Sequence, residues 1–140
     1  MLYIDTSVII AFLTDEGEAP KVEAWFEKQG SSAFAVSDWT LTEIFSALSL
    51  KYRTGQISAE KHQAALLESS LLLDKSLRLF PIKRAHFNIA ATYCNHRQTG
   101  LRSGAALHLA AATELNAEIV TLDKRFATAA NTLGARCTLL

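Results

Sequence analysis

Two cysteines, two prolines and one methionine in 140 residues exclude several kinds of protein at once. Cys94 and Cys137 have no paired spacing and no histidine at metal-site intervals, so neither a disulfide framework nor a zinc site is expected, and both read as small core residues. Long apolar runs are missing as well. The densest stretches, Val8 to Leu13 and Ala105 to Ala112, fall short of the ~18 residues of a membrane span, and His108 interrupts the second. Met1-Leu2-Tyr3-Ile4-Asp5 has neither a basic region nor a small-residue cleavage site, so a cytoplasmic protein is the expectation.

Carboxylates are absent from Lys75 to Thr113, where Lys75, Arg78, Lys83, Arg84, Arg97 and Arg102 stand. The zero net charge therefore hides a segregation: residues 1–50 hold two basic and eight acidic residues, and residues 51–140 hold twelve basic and six acidic. Such a pattern suits a face that binds a polyanion, or solvated helix faces whose acidic partners come from elsewhere in the fold. What is present in quantity is apolar, 49% against 20% charged, the balance of an ordinary globule. At this length the chain makes one domain, residues 1–140.

Hydrophobic patterning alternates short strands with helices. Leu2-Tyr3-Ile4 reads as a strand, Thr6 or Ser7 as the cap of a helix from Val8, and the stretch Asp15 to Glu18 as a break. Pro20 suits the first turn of a second helix carrying Val22, Trp25 and Phe26 and stopped by Gly30. Ala33 to Ser37 is a second strand, followed by a helix whose apolar stripe is Leu41, Ile44, Phe45, Leu48 and Tyr52. Ser58 opens a helix reaching about Ser76, with Ala65, Leu66, Ser69, Leu72 and Leu73 inward. Leu77 to Ile82, with Pro81, reads as an edge strand. The spacing then predicts a helix over His86 to Gln98 burying Phe87, Ala90, Ala91 and Cys94, and one over Gly104 to Leu115 capped by Ser103. A strand over Glu118 to Leu122, a helix over Phe126 to Thr132 and a strand over Arg136 to Leu139 complete the chain. This is the pattern of an α/β sandwich with a mainly parallel sheet of about five short strands.

Asp5 and Asp123 each follow an apolar strand, and ligands of parallel sheets bind outside the strands' carboxyl ends. Either residue alone is ordinary turn chemistry. Two carboxylates converging at one sheet edge, however, are costly unless a cation or proton lies between them, and Mg²⁺ suits an open oxygen site. Glu43 has two readings. Thr40-Leu41-Thr42-Glu43 fits a capping box, whereas a second seam with Trp39, Ala47 and Leu50 places Glu43 at a partly buried edge. His108, on an Ala/Leu helix, reads as a packed, hydrogen-bonded residue, and Trp39 and Tyr52 as packing residues with ring faces able to stack on an RNA base.

Four segments together carry a resemblance: Leu2-Tyr3-Ile4-Asp5-Thr6-Ser7, Leu41-Thr42-Glu43, Leu101-Arg102-Ser103 with Ala106-Leu107-His108-Leu109-Ala110, and Thr121-Leu122-Asp123-Lys124-Arg125-Phe126. In this order and spacing the chain resembles PIN-domain proteins, specifically the VapC-type toxic ribonucleases of bacterial toxin–antitoxin pairs. The resemblance implies a three-layer α/β/α sandwich and a Mg²⁺- or Mn²⁺-dependent endoribonuclease acting on tRNA or another structured RNA. It also implies a VapB-type antitoxin partner and a homodimer.

Asp5, Glu43 and Asp123 match the family's acidic positions; Asp5 and Asp123 are expected to hold the metal, with Glu43 orienting a second metal or its water. The fourth family position, normally Asp, is Ala105 here. The rest of that motif is intact, including Arg102 and His108, so the expected chain is folded, with weakened metal binding and little or no cleavage. Ser7 or Thr6 is a candidate partner of Asp5 or of a metal-bound water, and Arg102, Lys124 and Arg125 are candidate phosphate ligands. The competing reading is a non-catalytic module of the same fold that binds antitoxin or RNA. An aspartate-nucleophile phosphatase needs a second Asp two residues after the first, and Ser7 stands there.

Overall fold

The computed structural model describes residues 1–15 and 17–140; of the break expected over Asp15 to Glu18, Glu16 lies outside the described residues. Along the chain run β1 (Leu2–Ile4), α1 (Thr6–Leu13), α2 (Ala19–Lys28), β2 (Phe34–Ser37), α3 (Asp38–Arg53) and α4 (Ala59–Lys75). They are followed by β3 (Arg78–Phe80), α5 (Arg84–Cys94), α6 (Ser103–Glu114), β4 (Glu118–Thr121), α7 (Lys124–Thr132) and β5 (Cys137–Leu139). The five strands form one sheet in the order β3-β2-β1-β4-β5, and all four pairings are parallel. A parallel sheet needs cover on both faces.

Strand alternation supplies two cores. Tyr3, Ala35 and Ile119 face α5, α6 and α7, whereas Ile4, Val36 and Val120 face α1 to α4. Ile4, Val36 and Val120 are fully buried, each side chain contributing about 1.5–3 kcal/mol. On the first face α6 is buried along nearly its whole length, from Ala106 to Ala112, and its alanines let the helix lie close to the sheet. The result is the expected three-layer α/β/α sandwich.

Several local expectations are corrected. The inward line of α3 is Thr40, Ile44 and Leu48, while Leu41, Phe45 and Tyr52 are exposed. Two apolar lines run side by side on this helix, and helical periodicity cannot tell which one meets α1. In α5 the buried residues are His86 and Ala90, Phe87 is 53% exposed, Cys94 is exposed, and the helix ends at Cys94. A polar ring displaces Phe87 from the core because both its nitrogens are satisfied. His86 Nδ1 accepts the Lys83 N–H at 2.8 Å, leaving Nε2 to donate to Glu114 Oε2 at 2.6 Å.

This contact clamps α5 to α6, and Lys83 Nζ closes it on the other Glu114 oxygen at 2.8 Å. The Lys83 hydrogen bond first, and then His86, hold the Glu114 carboxyl below its ordinary value of 4.5. A carboxyl depressed in the folded state stabilises above its unfolded pKa and loses that contribution as pH falls through the folded one. Thermal melts of Glu114→Gln and the parent should therefore differ at neutral pH and converge as the pH is taken below about 4. A gap independent of pH would show that the clamp acts by packing alone.

Candidate active site at the carboxyl edge of the sheet

β1 and β4 are neighbours in the sheet, but the chain leaves β1 toward β2 and β3, and leaves β4 toward β5. The strand order therefore reverses between them, which opens a crevice beyond their carboxyl ends. Asp5 follows β1 directly, and its N–H donates to Val120 O at 2.9 Å, so it cannot leave that edge. Its Oδ2 accepts from Ser7 Oγ at 2.5 Å and from Thr121 Oγ1 at 2.7 Å, and Ser7 Oγ in turn accepts the Leu122 N–H at 3.1 Å. Asp5 is itself the N-cap of α1, where Thr6 or Ser7 was expected. The two strands' exits are thus stitched through one carboxylate and two hydroxyls.

Asp123 caps α7: its Oδ1 accepts the N–H groups of Arg125 at 2.7 Å and Phe126 at 3.1 Å, so the helix begins at Lys124, ahead of the expected Phe126. Glu43 projects from the middle of α3. The capping box belongs to Ser37 and Thr40, because the helix starts at Asp38, and this removes the capping role from Glu43. Its Oε2 accepts from Thr6 Oγ1 and from His108 Nε2, each at 2.6 Å. Burial pushes the Glu43 carboxyl up, but the hydrogen bond and charge of His108, with Thr6 and the nearby Trp39 indole, outweigh it and hold the group below its ordinary range.

These groups line one open groove of about 760 Å³, together with Thr6, Ser7, Glu18, Arg102, Gly104 and Ala105. Asp5, Glu43, Asp123, Ser7, Arg102 and Ala105 are therefore brought together at one groove. Lys124 and Arg125 are exposed on the first turn of α7 and do not line the groove. The sequence reading did not place Gly104 or Glu18 at the groove, and it tied neither Thr6 nor His108 to Glu43, although it read His108 as a packed, hydrogen-bonded residue, which it is. The place of His108 in the same motif as Arg102 was the available signal; for Glu18 there was none.

Gly104 has a steric reason. A Cβ at this position would lie 2.7 Å from Glu43 Oε1 and 3.3 Å from Trp39 Nε1, a buried nitrogen without a hydrogen-bond partner among the described residues. Glu43 cannot swing aside freely, because His108 and Thr6 pin its other oxygen. Gly104→Ala should thus forfeit the ~1 kcal/mol that alanine ordinarily gains in a helix and cost about 1 kcal/mol net through overpacking. The same change made in a Glu43→Ala chain should stabilise. Equal effects in the two backgrounds, measured by denaturant unfolding, would remove the proposed contact.

A parallel α/β/α sandwich with three carboxylates at its switch point is, as a class, an α/β domain with an acidic site at the carboxyl edge. The chain belongs to the PIN domain family, whose model matches residues 2–131. No curated protein matches the sequence. Among solved structures, VapC20 of Mycobacterium tuberculosis, a sarcin–ricin-loop-cleaving toxin, is 14% identical with a TM-score of 0.74, over 92% of this chain and 95% of that one. VapBC2 of Rickettsia felis, bound to a DNA fragment from its promoter, is 17% identical with a TM-score of 0.71, over 99% and 98%. FitAcB of Neisseria gonorrhoeae is 18% identical with a TM-score of 0.70, over 98% and 96%. These likenesses are of fold.

The donor set is suited to a hard divalent cation. No lysine or arginine pairs with Asp5, Glu43 or Asp123 among the described residues, and no hydrogen bond occupies Asp123 Oδ2. Among the described residues Asp5 Oδ1 is met only by His108 Nε2, at 3.6 Å. The described residues do not close into a three-ligand cage. Open oxygen donors fit an ion such as Mg²⁺, which binds through one or two carboxylates and keeps several waters.

Proposed function

We propose that this chain is the toxin of a toxin–antitoxin pair, a Mg²⁺- or Mn²⁺-dependent endoribonuclease of the VapC type whose cleavage is impaired by Ala105. The observation that carries the reading is the groove itself: three carboxylates without a lysine or arginine partner among the described residues, and a methyl group on the first turn of α6 where the motif calls for a fourth. A bound divalent ion supplies charge stabilisation to a phosphoryl oxygen and makes water acidic enough to attack at neutral pH.

The chain's own residues divide the remaining work. Asp5 Oδ1 and Asp123 Oδ2 are the open donors for the ion, and Ser7 and Thr121 hold the other Asp5 oxygen so that its carboxylate does not rotate. Glu43 keeps Oε1 as an acceptor that orients a water for in-line attack. Arg102, exposed at the groove, binds a substrate phosphate, and Lys124 and Arg125, exposed directly after Asp123, track RNA beyond the reacting bond. Exposed Leu41, Phe45, Leu50 and Tyr52 on α3, with Leu67 and Leu71 on α4, give apolar surface for an antitoxin and a second copy. Among the described residues no helix is long and apolar enough to cross a membrane, and we place the protein in the cytoplasm.

Ala105 also favours a second reading, a PIN-fold module that binds antitoxin or RNA without cutting. Total tRNA incubated with Mg²⁺ and either this chain or its Ala105→Asp variant separates the two. Cleavage by the Asp variant alone, stopped by EDTA, supports the nuclease. Neither chain cutting tRNA or ribosomal RNA favours the binding module.

A further inference from the structure

Behind Glu43 runs a line of side-chain hydrogen bonds that crosses the sheet. Ser37 Oγ meets Tyr3 OH at 2.7 Å, Tyr3 OH meets His108 Nδ1 at 2.8 Å, and His108 Nε2 meets Glu43 Oε2 at 2.6 Å. Ser37 and Tyr3 are fully buried and His108 is 1% exposed. A buried polar chain is costly unless every member is satisfied, and an apolar side chain would fill position 108 at less cost. The line ends at a carboxylate of the groove. His108 Nε2 also lies 3.6 Å from Asp5 Oδ1, so one imidazole N–H spaces two of the three acidic groups.

We propose that His108 is a positioning residue of the nuclease site. With the Thr6 hydroxyl it occupies Glu43 Oε2, so that Oε1 is the oxygen left to receive a water or a hydrated cation. The role rests on the nuclease reading above and deepens it. Tyr3 and Ser37 act one and two steps back by fixing the ring through Nδ1. Nε2 faces two carboxylates and a hydroxyl, so it carries a hydrogen, and Tyr3 OH and Ser37 Oγ complete the chain. A glutamate free of these contacts would turn about three side-chain torsions and present either oxygen.

The test uses the Ala105→Asp chain and two substitutions that keep different halves of the imidazole. His108→Gln places an amide N–H near Nε2 and keeps the donor to Glu43; His108→Asn reaches only the Nδ1 position, so it keeps the Tyr3 contact and loses that donor. Mn²⁺ affinity by calorimetry, kcat and KM on RNA, and thermal melting are read together. His108→Asn should weaken Mn²⁺ binding about 10-fold and lower kcat by about 10–100-fold with KM little changed, whereas His108→Gln should stay within about 3-fold of its parent.

Equal values for the two variants, or losses that simply follow melting temperature, would overturn the role. If neither variant folds, Tyr3→Phe decides: a several-fold loss of Mn²⁺ affinity in the folded protein supports the relay, and unchanged affinity overturns it. A parent that binds Mn²⁺ but cuts no RNA, with affinity still dependent on His108, removes the nuclease reading and leaves the positioning role. A parent that binds no Mn²⁺ overturns both.

Discussion

Ala105→Asp is expected to raise Mg²⁺-dependent RNA cleavage by on the order of 10³-fold, from a background near that of RNA alone. The magnitude follows from what one carboxylate adds. Several kcal/mol of charge stabilisation at the reacting phosphoryl group depend on a firmly held ion, and each ~1.4 kcal/mol is tenfold in rate. Position 105 is the third residue of α6, whose N-terminus has no side-chain cap, so the new carboxylate gains about 0.3–1 kcal/mol from the helix dipole. It also joins three carboxylates in the same groove. The variant should therefore melt below the parent in EDTA and regain stability as Mg²⁺ is added, by RT ln(1 + [Mg²⁺]/Kd). A variant indifferent to Mg²⁺ in both melting and cleavage would remove position 105 from the metal site.

Asp5→Asn in the same background should abolish that cleavage, a loss also on the order of 10³-fold, while changing stability by less than about 1 kcal/mol. Activity and stability separate here for a physical reason. The asparagine oxygen can still accept from the Ser7 and Thr121 hydroxyls and cap α1, so the stitching of β1 to β4 survives. What is lost is a negative charge, 7% exposed, that has no lysine or arginine partner among the described residues. Such a charge costs the fold stability and is useful only to a cation. Thermal melting and single-turnover cleavage on one preparation measure both quantities. A large loss of stability with cleavage retained would reverse the assignment and make Asp5 a structural cap.

Much of the layout was legible because it is written in local pattern. Short apolar runs bounded by Asp, Gly, Pro or Ser signalled the five strands, and the Ser58 cap and Pro20 marked helix starts correctly to within a residue. Asp5 and Asp123 stood out because each follows an apolar strand, and the parallel pairing of Ile4 with Val120 places both at one edge. Ala105 stood out only through the family resemblance, because the residues around it, Arg102 and Ala106 to Ala110, match the motif.

Choices among near-equivalent side chains were decided by tertiary structure. Sequence cannot say that α3 turns Thr40, Ile44 and Leu48 inward and leaves Phe45 outside, since the two apolar lines differ by only one helical step. It could not give His86 preference over Phe87, which depends on Glu114 from another helix. His108 shows the same limit most clearly. As one polar residue on an apolar helix it reads as packing, and it becomes part of the acidic groove only because Tyr3 lies 105 positions away and Glu43 65 positions away along the chain, yet both meet one ring. Local sequence determined the elements and the acidic edge, because capping and periodicity are short-range effects. Folding decided which buried side chains face those acids, because hydrogen-bond partners are set by distance in space.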